Sequence, residues 1–188
     1  MTLNNFNYSE KHNVLWLAPP RTGTRGLCRV FNFLGFKYKG FNLISEKGPN
    51  HTHDFPKQNI QTEYKTVISV RNPYGRLYSL YHNYFGRDNK TLQIPFDEYV
   101  SRLDESILKH DAFGIFNLPS EYVIRVENQL EDLIKIPFVY NNLSVKQLEL
   151  MTQHGKPLHD WTKEYNQEMK SKVYNLFKYQ FTKYGYEK

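Results

Sequence analysis

The sequence predicts an α/β fold in three layers, a small parallel sheet of about four strands flanked by helices. Three observations carry that expectation. Compact apolar runs alternate with segments of helical periodicity. Two of those runs, around Val14–Leu17 and Thr66–Val70, pass through short turns straight into helix starts. Strands that alternate with helices in this way are joined by right-handed crossovers, which make neighbouring strands parallel.

Taken in order, the first strand spans 12–18, and its run Val14, Leu15, Trp16, Leu17 suits a strand covered on both faces. Pro19 and Pro20 end it, and Gly23 allows a close backbone approach before a helix over 24–34. A strand follows near Phe36–Phe41, then a loop reading GPNHTHDFP. Residues 65–70 form the next strand, with Arg71 at its carboxyl end. Asn72-Pro73 marks the turn, and Leu77, Leu80, Tyr81 and Tyr84 give the helix over 74–85 an apolar face. Phe96, Tyr99, Val100 and Leu103 indicate another helix, and 122–126 a strand leading to an acidic helix start. A long final helix begins at about Asp160, with Tyr165, Val173, Phe177 and Phe181 as its core face.

The length of 188 residues predicts one domain, 1–188, with enough chain for a real core. Its 15 tyrosines outnumber every other aromatic, so packing leans on rings with polar tips. A net charge of +6 suits anionic ligands without choosing between a nucleotide, an acidic glycan and nucleic acid. Cys28 is the only cysteine, which excludes an intrachain disulfide and reads as a buried residue of the first helix. No apolar run reaches the length of a membrane span, and MTLNNFNYSE lacks the apolar stretch of a signal peptide. A cytoplasmic protein of bacterial or viral origin is therefore expected.

The turn between the first strand and its helix, APPRTGTRG, is suited to hold a phosphate or sulfate. A helix starting near Thr24 points free N–H groups and its positive dipole end into a loop that also carries Arg21, Thr22 and Arg25. It is not the G-x-x-x-x-G-K-[ST] loop of magnesium nucleotides, because no Lys-Ser/Thr pair follows the glycine. Arg71, at the tip of the second parallel strand, and Ser79, on the helix after it, can reach one anion from two sides. Open α/β sheets bind ligands outside the carboxyl ends of their strands, which places both turns at one edge.

PRTGTR followed by RNPYGRLYSLY resembles the paired nucleotide signatures of sulfotransferases that use 3′-phosphoadenosine-5′-phosphosulfate (PAPS). The likeness extends to YVIRVENQLED and to the aromatic C-terminal stretch ending in YGY, where Gln180 stands in place of an Asp, and leaves Gly86–Ser120 unmatched. The resemblance, strongest to carbohydrate and heparan-type O-sulfotransferases, implies a P-loop-like fold. It implies that Arg21, Thr22, Gly23, Thr24 and Arg25 bind the 5′-phosphosulfate, and that Arg71 and Ser79 grip the 3′-phosphate. Gly155-Lys156 matches a late basic loop that closes over the nucleotide in relatives. Gly26 stands where small-molecule members carry an aromatic, which favours the carbohydrate branch.

The implied activity moves a sulfuryl group from PAPS to a hydroxyl-bearing acceptor, a glycan or other small molecule, with PAPS as co-substrate and no metal. Arg21 stabilises charge on the leaving phosphosulfate oxygen, since a guanidinium stays protonated. His53 is the first choice for the general base and His51 the second, with Asp54 placed to orient one of them. Glu127 reads as a capping or pairing residue, and Arg76 as a phosphate contact or a salt-bridge partner. Neither nucleic acid nor a membrane span is expected. Two other classes stay open: a noncatalytic binder of adenosine bisphosphate or nucleic acid, and a divergent P-loop nucleotide kinase.

Overall fold

The computed structural model describes residues 6–45, 48–49, 64–84, 94–105, 115–153 and 160–188. Its strands are β1 (Asn7–Ser9), β2 (Val14–Leu17), β3 (Lys37–Tyr38), β4 (Phe41–Asn42), β5 (Ile44–Ser45), β6 (Gly48–Pro49), β7 (Lys65–Val70) and β8 (Tyr122–Arg125). The helices are α1 (Thr24–Phe33), α2 (Pro73–Tyr84), α3 (Phe96–Ser101), α4 (Gln129–Leu133), α5 (Pro137–Tyr140), α6 (Val145–Thr152) and α7 (Gln167–Tyr184). Six strands form one open sheet in the order β4-β3-β1-β2-β7-β8, while β5 and β6 pair separately.

The expected parallel strands are present: β2 pairs with β7, and β7 with β8, all parallel. The expectation of a small, purely parallel sheet is corrected, because β1, β3 and β4 extend it with antiparallel pairings. Local turn chemistry is the cause. Asn13 adopts φ 55 and its N–H donates to the Glu10 carbonyl at 3.2 Å, folding β1 back on β2 as a hairpin, which is antiparallel by construction. The strand expected near 36–41 is likewise a hairpin, because Lys39 (φ 52) and Gly40 (φ 77) reverse the chain between Tyr38 and Phe41.

Both faces of the sheet are covered. Val14, Trp16, Val67 and Ile124 join Leu27, Val30 and Phe31 of α1 and Leu133, Val139 and Leu148 in one core. The alternate strand positions Leu17, Ile68 and Val70 pack with Ile115, Phe116 and Tyr184 in a second core, as the two-residue period of a strand requires. A third, aromatic core binds α2, α3 and α7 through Tyr74, Leu77, Val100, Tyr165, Val173, Phe177 and Phe181. Cys28 is buried in the first core, and burial pushes its thiol up to about 12. α1 packs against α6 at Gly26, where a Cβ would stand in ordinary contact, 3.4 Å from the Thr152 Cα.

The final helix starts later than expected. Asp160 accepts from the Thr162 N–H at 3.1 Å in a separate turn, and α7 begins where the Asn166 side chain accepts from the Met169 N–H at 2.9 Å. It ends at Gly185, in the left-handed region at φ 70, after which Tyr186 folds back with its N–H on the Phe181 carbonyl. No helix among the described residues is long and apolar enough to cross a membrane.

Candidate functional site

Parallel pairing of β2, β7 and β8 puts three strand tips at one edge, with Leu17 beside Ile68 and Val70 beside Arg125. The chain leaves β2 through Ala18–Gly23 into α1, and leaves β7 through Arg71-Asn72 into α2. It leaves β8 through a 3-10 turn, Val126–Asn128, into α4. The first two are the turns that the sequence places at one edge. The third joins them.

The first turn is shaped by its own backbone. Arg21 (φ 68) and Gly23 (φ 71) both lie in the left-handed region, which is costly for the arginine and free for the glycine. The Thr22 hydroxyl donates to the Pro19 carbonyl at 2.6 Å and contacts the Ser69 hydroxyl at 2.9 Å. Thr22 is fully buried, so its side chain braces the turn against β7. Gly23, the N-cap of α1, has no side chain to close the helix start, and no acidic residue lies in its first turn. Thr24 is half-buried, and Arg25 is exposed on that first turn.

Two side-chain links tie this turn to the second. Arg21 Nε donates to Ser79 Oγ at 2.9 Å and its Nη1 donates to Asn83 Oδ1 at 3.1 Å, both acceptors on α2. Arg76 Nε donates to the Pro20 carbonyl at 3.1 Å while its guanidinium lies 4.6 Å from the centre of the Phe116 ring. Arg76 is buried, and these two contacts lie beneath the loop.

Arg71 is buried beside them. Burial depresses its guanidinium below the ordinary value, the Glu127 carboxylate opposes that shift, and the charge of Arg21 adds to it. The two arginines therefore sit within electrostatic reach of one another, an arrangement that an anion between them would relieve. Glu127 anchors the second turn as a pairing residue. Its Oε1 accepts from the Asn72 N–H at 2.9 Å and its Oε2 accepts from the Tyr186 hydroxyl at 3.0 Å. A Cβ on Gly75 would fall 2.6 Å from Trp161 Nε1 and 3.3 Å from Arg71 Nε, so the indole and the guanidinium flank the first turn of α2. The Trp161 ring also stacks on Tyr74, with centroids 5.6 Å apart.

At the third tip, Arg125 and Asp132 form a bidentate pair, with Nε to Oδ2 at 2.9 Å and Nη2 to Oδ1 at 2.7 Å. Burial alone would raise the Asp132 carboxyl, but its bonds to Arg125 hold it below the usual carboxylate range. This clamp fixes the start of α4, where Gln129 is buried and its Nε2 has no hydrogen-bond partner among the described residues. Val126 and Gln129 face the first turn directly. A Cβ on Gly23 would lie 3.1 Å from Val126 Cγ2 and 3.7 Å from Gln129 Nε2.

Of the residues read from sequence, the structure brings Arg21, Thr22, Gly23, Thr24, Arg25, Arg71 and Ser79 to one edge. His51, His53, Asp54 and Lys156 lie outside the described residues. Trp161, Tyr186 and Gln129 belong to the site's surroundings; they lie in stretches that the resemblance touches, but nothing in the sequence singles them out for the site. The chain matches no protein-family model, and no curated protein matches it.

Proposed function

We propose that this chain is a PAPS-dependent sulfotransferase acting on a hydroxyl acceptor, with a carbohydrate the favoured class. One observation carries the reading: Arg21 of the first turn is hydrogen-bonded to Ser79 of the second helix, and Arg71 lies close enough to feel its charge. A ligand with anionic groups at both ends, as adenosine 3′,5′-bisphosphate has, matches two cationic turns on adjacent strands. The residues present fit such a nucleotide. Gly23 lets the turn lie close against Val126 and Gln129, the start of α1 presents backbone donors, and Arg71 is a buried cation. Three parallel strands, each leading into a helix, also suit the P-loop-like fold that the resemblance implies.

Sulfuryl transfer forms a bond from the acceptor oxygen to sulfur and breaks the bond from sulfur to the phosphate oxygen. The acceptor proton passes to a base, and adenosine 3′,5′-bisphosphate leaves with the bonding electrons. Clamping both ends of the donor aligns that displacement, an effect worth roughly 7–11 kcal/mol in favourable cases. Arg21 offers a fixed cation to the charge growing on the bridging oxygen. The resemblance assigns the proton to His53 or His51.

Ser79 has a second partner to lose. Its hydroxyl already accepts from Arg21, so a 3′-phosphate that takes up Ser79 must share or displace that guanidinium. The test is calorimetric titration with adenosine 3′,5′-bisphosphate against ATP plus magnesium, followed by an assay of PAPS consumption with hydroxyl acceptors. The bisphosphate should bind at least tenfold more tightly, and PAPS should be consumed. Preference for ATP with magnesium overturns the reading in favour of a nucleotide kinase. Binding without consumption leaves a noncatalytic binder, and affinity for DNA or RNA that falls steeply with salt marks a nucleic-acid protein.

A further inference from the structure

We infer that Gln129 is a ligand-binding residue, its side-chain amide donating to the anionic group at the 5′ end of the nucleotide. The inference rests on the sulfotransferase reading and adds a third chain segment to the site. Gln129 is 7% exposed, and its Nε2 is buried with no partner among the described residues. Leaving a buried amide donor unmade is costly, so such groups are almost always bonded. Neighbouring polar groups are satisfied: Arg125 and Asp132 close on each other on either side of Gln129 in sequence.

The orphan donor faces a turn with donors of its own to satisfy. Its nitrogen lies 3.7 Å from where a side chain on Gly23 would begin, beside a helix start with no side-chain cap. Only glycine keeps the amide and the turn this close, because any Cβ there would also press on Val126 Cγ2 at 3.1 Å. An anion seated in the turn supplies an acceptor to both the backbone N–H groups and the amide. Because the amide is neutral, it orients that anion without adding to the charge of Arg21 and Arg71.

The test replaces the donor but keeps its volume. Gln129→Met should weaken binding of adenosine 3′,5′-bisphosphate about tenfold by calorimetry, yet leave adenosine 3′-phosphate, which lacks the 5′ group, within twofold of the wild type. Equal losses for both ligands, or none, overturn the inference. A measurement on the unaltered protein covers the case where the variant fails to fold. The Gln129 side-chain amide resonances should shift on adding the bisphosphate and stay in place with adenosine 3′-phosphate, and amide resonances indifferent to both overturn the inference. A wild type that binds no bisphosphate overturns the sulfotransferase reading and this inference together. A wild type that binds it only as tightly as Gln129→Met does overturns this inference alone.

Discussion

The turns that open α1 and α2 stand on adjacent parallel strands, yet they are finished in opposite ways. The first has two residues in the left-handed region, Arg21 and Gly23, and no side chain caps the helix behind it. The second begins its helix with Pro73 and is closed by the protein itself. Asn72 Oδ1 accepts from the Tyr74 N–H at 3.0 Å, and Glu127 accepts the N–H of Asn72. A turn that serves a ligand through its backbone must leave its N–H groups unclaimed. A turn that serves through a side chain can commit its backbone to rigidity, and here it holds Arg71 in place. One turn is an open cradle and the other a braced arm.

Removing the arm should have the largest effect. Arg71→Ala should weaken adenosine 3′,5′-bisphosphate by on the order of 10- to 100-fold, the range for a charge-assisted hydrogen bond. Adenosine 5′-phosphosulfate, which has no 3′-phosphate, should bind both proteins alike in the same titration. Equal losses for the two ligands would erase the distinction between the turns.

Closing the cradle should cost less affinity but some stability as well. Gly23→Ala forces a non-glycine residue into φ 71, at about 1–2 kcal/mol, and sets a Cβ 3.1 Å from Val126. Urea denaturation should register that loss, and binding of the bisphosphate should fall about tenfold. The same change at Gly35, whose Cβ would meet nothing within 4 Å, should destabilise through φ 80 alone and leave binding untouched. Matching effects on binding at the two positions would show that strain, not the cradle, is being measured.

What can be read from the sequence divides along similar lines. The parallel strands β2, β7 and β8 are legible because their apolar runs end in turn residues, and Tyr165, Val173, Phe177 and Phe181 are buried as their spacing requires. Strand β1 is hidden by its polarity. Asn7 and Ser9 are buried, and Asn7 is accommodated by a bond from its amide to the Trp16 carbonyl at 3.3 Å, a tertiary contact that no periodicity announces. At the site, Arg21, Arg71 and Ser79 are marked by motif. Gln129 and Trp161 carry no such mark. The first stands far along the chain from Gly23 and the second far from Gly75, so only the parallel crossovers and the packing of the C-terminal region bring them to the turns they face.

The smallest expected effect tests how firmly the arm is braced. Tyr186→Phe removes the hydroxyl that donates to Glu127 Oε2 at 3.0 Å and leaves the Asn72 bond to Oε1 in place. Stability at neutral pH should fall by about 0.5–1.5 kcal/mol, and bisphosphate affinity by roughly twofold to threefold. The pH dependence reports how strongly burial and the Glu127 carboxylate together keep the phenol protonated. Burial first, and then the Glu127 carboxylate, raises the Tyr186 phenol above its ordinary 10.0. Above that pH the unfolded chain gives up the proton while the folded chain keeps it, so stability falls as pH rises. The phenol's contribution is thus fully present below about pH 10 and is lost on going through the folded value. Urea denaturation from roughly pH 7 to 11 should show the gap between wild type and Tyr186→Phe constant up to about 10 and narrowing beyond it. Tyr165 and Tyr184, also raised by burial, are common to both proteins and cancel in that difference. A gap that does not change with pH would mean that the Tyr186 phenol ionises as readily in the folded chain as in the unfolded one, so that it is neither held by Glu127 nor shielded from water, and the second turn would then owe its rigidity to Asn72 and Pro73 alone.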